Sequence, residues 1–108
     1  MEFVYPPSFL EQVDAILKDN IQDENFNVEI LSSCLLMSQS QVYRKIKSNT
    51  GLTPSSYIRT FRLKYAKKLI EISELRISEI SDQVGFNSLS YFSSSFTQEY
   101  GYPPSHLR

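Results

Sequence analysis

Ser40, Tyr43 and Arg44 stand three and four residues apart, the spacing that sets side chains on one strip of a helix. The strip offers a hydroxyl, a phenol and a guanidinium. Its available chemistry is recognition by hydrogen bonding rather than bond-making. A guanidinium forks onto O6 and N7 of guanine in a major groove, which makes Arg44 the candidate for base readout. A surface salt bridge to an acid of the first helix is its alternative role. Tyr43 can pack on a thymine methyl or donate to a phosphate, or it can cover the edge of the core. Lys47, like Lys45, suits phosphate or solvent. Ser38, just ahead of the strip, marks a helix N-terminus, where backbone N–H groups and the helix dipole favour an anion.

The same arrangement recurs 50 residues further on. Ser38, Ser40, Gly51, Pro54 and Ser55 are repeated as Ser88, Ser90, Gly101, Pro104 and Ser105, and the apolar Val42 and Ile46 return as Phe92 and Phe96. A repeat at fixed offset reveals the building unit. Here it is a short helix, a turn, a second helix and a Gly stop, the outline of a helix-turn-helix. In such a unit the second helix enters the major groove and the first lies across the backbone. Ser88, Ser90, Tyr91 and Ser94 are the candidate contacts of the second copy. That helix exposes Leu89, Ser90, Tyr91, Ser93, Ser94, Thr97 and Gln98, with no Arg or Lys. Its discrimination should be weak or rest partly on DNA shape, or the helix only positions the molecule. Ser32 aligns with Ser81 but Ser40 with Ser90, so the second turn is one residue longer.

The elements that must hold these strips are also legible. Residues 1–7 form a short leader ending in Pro6-Pro7. Ser8 with Glu11 is a capping box, and Leu10, Val13, Leu17 and Ile21 recur at helical spacing, which predicts a helix over 9–22. Asn27 caps a second helix over 28–35, with Ile30, Leu31 and Leu35 on its inner face. Ser38 and Gln41 box the third, which Gly51 stops. Thr53 caps and Pro54 opens the longest helix, 54–73, with Ile58, Phe61, Tyr65, Ala66 and Leu69 as its apolar stripe. Arg59, Arg62, Lys64, Lys67 and Lys68 fill the remainder of its surface. A helix over 77–84 ends at Gly85, and one from Ser88 to Tyr100 ends at Gly101. The fold class is all-α: two helix-turn-helix subdomains joined by a long linking helix, six to seven helices in all. The expected divisions are 1–52, 53–74 and 75–108.

Composition excludes several classes. The 108 residues form about one domain, with 41% hydrophobic and 21% charged residues. No apolar run suits a membrane span, and no secretory leader is apparent. One cysteine, Cys34, and one histidine, His106, leave no internal disulfide, metal cluster or nucleophile–base pair. Neither an enzyme nor a cofactor, metal or small-molecule ligand is expected in this chain, and a cytoplasmic setting fits. The net charge of −1 hides a strong asymmetry. Residues 44–76 hold nine Lys/Arg against two Glu, net +7. Residues 1–43 hold one Lys against seven acids, net −6, and residues 77–108 come to −2. One basic face on a neutral chain suggests a polyanion. If the basic linking helix faces DNA, Lys67→Glu with Lys68→Glu should weaken binding to all sequences alike. A helical module docking an acidic protein through that face is the alternative.

Gly85-Phe86-Asn87-Ser88-Leu89-Ser90-Tyr91-Phe92, followed by Phe96, Gly101, Pro104-Ser105 and Arg108, resembles the signature of the AraC/XylS family of bacterial transcription regulators. Leu31, Met37-Ser38, Thr50-Gly51, Arg62-Leu63 and Ala66 resemble the same family, so that the similarity covers about residues 26–108. Val42 to Lys47, Tyr57-Ile58-Arg59 and Arg62-Leu63-Lys64 are further similar to the output domains of hybrid two-component sensor-regulators. The resemblance implies that both reading helices dock into successive major-groove segments on one face of double-stranded DNA. By position, base contacts would fall on Ser40, Tyr43 and Arg44, and on Ser90, Tyr91 and Ser94. It further implies activation of transcription, RNA polymerase as a second partner, and a longer protein carrying sensor and histidine kinase segments, membrane-anchored elsewhere. Leu36 stands where the family often has Gly, and Ser32 and Ser81 where it prefers Ala.

Overall fold

A computed structural model describes residues 7–108. Residues 1–6, most of the predicted leader, lie outside the described part. Six α-helices follow one another: α1 (Phe9–Asp19), α2 (Val28–Leu35), α3 (Gln39–Thr50), α4 (Pro54–Ile72), α5 (Ile77–Gln83) and α6 (Leu89–Tyr100). A single 3₁₀ turn, Pro104–Leu107, comes last. There is no strand among the described residues. The all-α expectation of two helix-turn-helix units on a long linking helix describes this architecture.

The capping chemistry explains the helix starts. Ser8, Asn27, Ser38, Thr53 and Ser88 each accept, through the side-chain oxygen, a backbone N–H of the first turn. The Ser38–Gln41 box is complete, with Gln41 Oε1 accepting from the Ser38 N–H at 3.0 Å. Gly51 and Gly101 close α3 and α6 in left-handed conformation. Helix α1 stops at Asp19, three residues earlier than its apolar spacing predicts. Asn20 turns its side chain back to the Ile16 carbonyl at 2.8 Å and ends the helix. The linking helix likewise ends at Ile72 and α5 at Gln83, each one residue short of expectation.

Two apolar clusters form, and α4 belongs to both. Val13, Leu17, Phe26, Leu31, Val42 and Ile46 pack with Ile58 near the start of α4. Leu63, Ala66 and Ile70 further along pack with Ile80, Val84, Phe86, Phe92 and Phe96. The buried stripe of α4 therefore differs from the predicted one. Phe61, Tyr65 and Leu69 are only half-buried, while Leu63, Ile70 and, unexpectedly, Arg62 are inside. Ile30 was expected inward on α2 but is exposed. Ser32 takes the buried place and donates its hydroxyl to the Val28 carbonyl at 2.8 Å. Arg108 donates to the carbonyls of Ile70, Ser73 and Leu75, which fastens the last residue to the end of α4.

The two turns are built alike. The Met37 N–H donates to the Ser32 carbonyl and the Phe86 N–H to the Ser81 carbonyl. Leu36 and Gly85 occupy the same left-handed position one residue before. The single extra residue of the second turn is thus Asn87, between Phe86 and the cap Ser88. Leu36 adopts φ 56° with its side chain 93% exposed. It loses nothing in packing if removed and carries the left-handed cost of about 1–2 kcal/mol. Glycine's extra backbone entropy, about 0.5–1 kcal/mol, offsets part of this. Leu36→Gly is expected to stabilise the fold by about 0.5–1 kcal/mol, read as a higher urea midpoint at unchanged m.

Candidate nucleic-acid interface

On α3 the apolar Val42 and Ile46 are fully buried, which forces the opposite face outward. Ser40, Tyr43 and Arg44 share one open concavity of about 540 Å³ with Gln39 and with Thr53, Pro54 and Ser55 from the start of α4. Tyr43 is 48% exposed, so it does not serve as a cover for the core. Arg44 makes no ion pair among the described residues, where the pair found is Arg76–Glu79. Its salt-bridge alternative is not realised. Ser38 sits at the N-terminus of this strip, its hydroxyl accepting the Gln41 N–H at 3.2 Å. Lys47 turns away to the far end of the helix, where its Nζ donates to the Gly51 carbonyl at 3.1 Å. Lys45 lies over the Phe9 ring, 5.1 Å from its centroid.

On α6 the buried Phe92 and Phe96 orient the helix in the same way. Ser90 and Ser94 share a shallow outer surface with Leu89, Ser93, Thr97 and Gln98. Ser88 caps the helix, accepting from the Tyr91 N–H at 3.1 Å. Part of the hydroxyl capacity is spent within the helix: Ser94 donates to the Tyr91 carbonyl and Thr97 to the Ser93 carbonyl. Tyr91 is separated from Ser90 and Ser94. It packs against Phe86, ring centroids 5.5 Å apart, and faces a cleft between the two units.

That cleft holds residues the sequence reading did not single out as contacts. Arg59 and Ser55 of α4, Asn87 of the second turn, and Glu24 line it with Tyr91. Ser55 also borders the Arg44 concavity. The Arg44 concavity therefore continues through Ser55 into the cleft, whose far wall is Asn87 and Tyr91 of the second unit. The repeat pointed at Ser55 and the extra residue at Asn87, but neither signal assigned them a contact.

The basic residues of α4 divide between opposite sides. At 3.6 residues per turn, Lys64 and Lys68 lie about 140° and 180° around the helix from Arg59. They border a separate groove with Asp14, Tyr57 and Phe61. In that groove Tyr57 donates its hydroxyl to Asp14 Oδ1 at 2.5 Å. Burial, reinforced by the Asp14 hydrogen bond and charge, pushes the Tyr57 phenol far above its ordinary value. Lys67 lies 4.8 Å above the Tyr100 ring. Lys67→Glu with Lys68→Glu is expected to weaken DNA binding only if this side of α4 faces the duplex.

Arg62 fixes the two units relative to each other. It is only 7% exposed. Its Nη1 donates to the carbonyls of Ile21 and Val84, the latter at 2.7 Å, and Nη2 donates to the Asp23 carbonyl at 2.9 Å. One side chain thus joins the α1–α2 loop to the end of α5. Burial lowers the guanidinium pKa, with the Asp23 charge acting in the opposite direction. Gly85 lies against this side chain at φ +83°, a position where a Cβ would overlap Nη1 and the Ile21 carbonyl.

An all-α chain carrying two capped helix-turn-helix units on one linking helix is, as a class, a double helix-turn-helix domain. The helix-turn-helix domain family matches residues 31–108, and the chain belongs to that family in its AraC-type form. It is 40% identical over 96 residues to Histidine kinase P4 of Formosa agariphila, covering 89% of this chain and 7% of that protein. It is similar to the C-terminal domain of the two-component response regulator yesN from Fusobacterium nucleatum. That match has a TM-score of 0.81 and 30% identity over 92% of this chain and 96% of that one. It is also similar to the DNA-binding domain of the global transcriptional factor AdpA, solved in complex with a target DNA. There the TM-score is 0.81 and the identity 28%, over 90% of this chain and 86% of that one. The chain spans between 7% and 40% of the length of the first curated relatives it matches.

Proposed function

We propose that this chain is the sequence-specific DNA-binding output module of a transcription activator. Helices α3 and α6 enter successive major-groove segments on one face of the duplex. The observation that carries this reading is the outward strip Ser40–Tyr43–Arg44, unpaired with any acid among the described residues and held at the N-terminal end of a helix whose other face is buried. The longest extent of the molecule, 42 Å, accommodates two reading surfaces separated by one helical turn of DNA, roughly 34 Å. Ser38 and Ser88 place helix N-termini where backbone phosphates pass. Arg44 reads a base, Tyr43 supports it, and Ser90 and Ser94 give the second unit a weaker preference.

The likeness to Histidine kinase P4 supports a setting in which a sensor and kinase lie in other segments of a longer protein, with this module in the cytoplasm. RNA polymerase is then the second partner.

Anisotropy of a labelled random duplex across a salt series tests the reading. Log affinity should fall with log salt by about 0.9 for each phosphate neutralised. No binding at low salt would overturn it. Site selection with the Arg44→Ala variant adds a sharper check. The substitution should cost about 1–3 kcal/mol on the selected site and flatten preference at one base position. An unchanged preference profile removes Arg44 from the readout.

A further inference from the structure

The second reading helix exposes no Arg or Lys, although its neighbouring phosphates carry charge like any others. We infer that Arg59 supplies the missing cation. The cleft between the two units is a site for a DNA backbone phosphate where the strand crosses from one major-groove segment to the next. The inference rests on the DNA-binding reading above.

Three observations carry it. The cleft, about 180 Å³ in volume, lies between the two units, shares Ser55 with the Arg44 concavity, and is lined on its other side by Asn87 and Tyr91 of the second unit. A duplex lying on both units must pass over it. Arg59 is exposed, makes no ion pair among the described residues, and donates a long hydrogen bond to Ser56 Oγ at 3.4 Å, so its guanidinium is available. Asn87, the one residue by which the second turn exceeds the first, brings an amide to the same cleft. A guanidinium with an amide and a phenol nearby matches a phosphodiester: a fork of charge-assisted donors with neutral donors beside it. Glu24 lines the N-terminal wall and disfavours an anion there, which places the phosphate toward Asn87 and Tyr91. The site carries no base-edge chemistry of its own and so contributes affinity and spacing, not sequence preference.

The test compares Arg59→Ala, Arg59→Lys and Lys68→Ala by anisotropy on two unrelated duplexes over a salt series. Arg59→Ala should weaken both duplexes equally, roughly tenfold near 0.1 M salt, and lower the salt slope by about one phosphate's share. Arg59→Lys should restore most of the slope. Lys68→Ala removes the same net charge from the opposite side of α4 and should leave the slope close to that of the unmutated chain. Equal effects of Arg59→Ala and Lys68→Ala would reduce the result to net charge and overturn the site. So would a loss confined to one duplex, which would make Arg59 a base reader. If the unmutated chain binds no duplex, the DNA-binding reading itself fails, an outcome distinct from a normal chain whose slope ignores Arg59.

Discussion

Arg62→Ala is expected to destabilise the fold by about 3–5 kcal/mol. The side chain is nearly fully buried and donates to three carbonyls from two separate parts of the chain. Truncation leaves the oxygens of Ile21, Asp23 and Val84 without that donor. An unsatisfied buried polar group costs about 1–3 kcal/mol; the Ile21 and Val84 oxygens lose this donor, while the Asp23 oxygen keeps the Phe26 N–H. The carbonyls nearest the surface recover water, which sets the lower bound. Against a typical total of 5–15 kcal/mol this is a large fraction. Urea unfolding measures it. A second readout separates geometry from stability. At temperatures where the variant is folded, affinity for a duplex that engages both units should fall more than affinity for a half-length duplex, because the angle between α3 and α6 is no longer fixed. A loss below about 1 kcal/mol with both affinities intact would show that Arg62 fastens nothing.

Gly85→Ala should be nearly as severe, at about 3–4 kcal/mol, for a related reason. The residue sits at φ +83°, where a Cβ costs about 1–2 kcal/mol by itself. That Cβ would also overlap Arg62 Nη1 and lie 2.8 Å from its Cζ, so the guanidinium must leave its carbonyls. The two substitutions share one mechanism and their costs should not add. Once Arg62 is already alanine, Gly85→Ala should cost less than in the unmutated chain but more than backbone strain alone, about 1–2 kcal/mol, because the Cβ still overlaps the Ile21 carbonyl. The coupling appears in a double-mutant cycle. Additivity within about 0.5 kcal/mol would mean that the glycine serves the left-handed turn alone. Leu36, in the matching turn of the first unit, provides the comparison. It takes a side chain at φ 56° because nothing approaches it, as its 93% exposure shows.

That contrast marks where sequence reasoning reached and where it stopped. Caps and stops involve residues within a few positions of one another, so Ser38 with Gln41, Thr53 with Pro54, and Gly51 and Gly101 were legible from local chemistry. The repeat disclosed the two units and their inward residues Val42, Ile46, Phe92 and Phe96, because burial of one helix face imposes a period that survives in the sequence. The outward strip of α3 followed as the complement of that period.

Contacts between segments far apart in the chain left no such trace. Arg62 was grouped with the basic surface of α4, since every Lys and Arg looks alike when only spacing is seen. Its burial depends on carbonyls about 40 residues earlier and 22 later. Lys64 and Lys68 were grouped with Arg59 by charge, yet helical geometry sends them to opposite sides. Tyr91 was grouped with Ser90 and Ser94 by position, and Phe86 draws it into the cleft. Residue order therefore set the helices, the repeat and the identity of the outward faces, which follow from local hydrogen bonding and periodic burial. The angle between the units, the cleft at Arg59 and the division of charge around α4 arise from packing two cores on one helix, and they exist only once that helix has bound both.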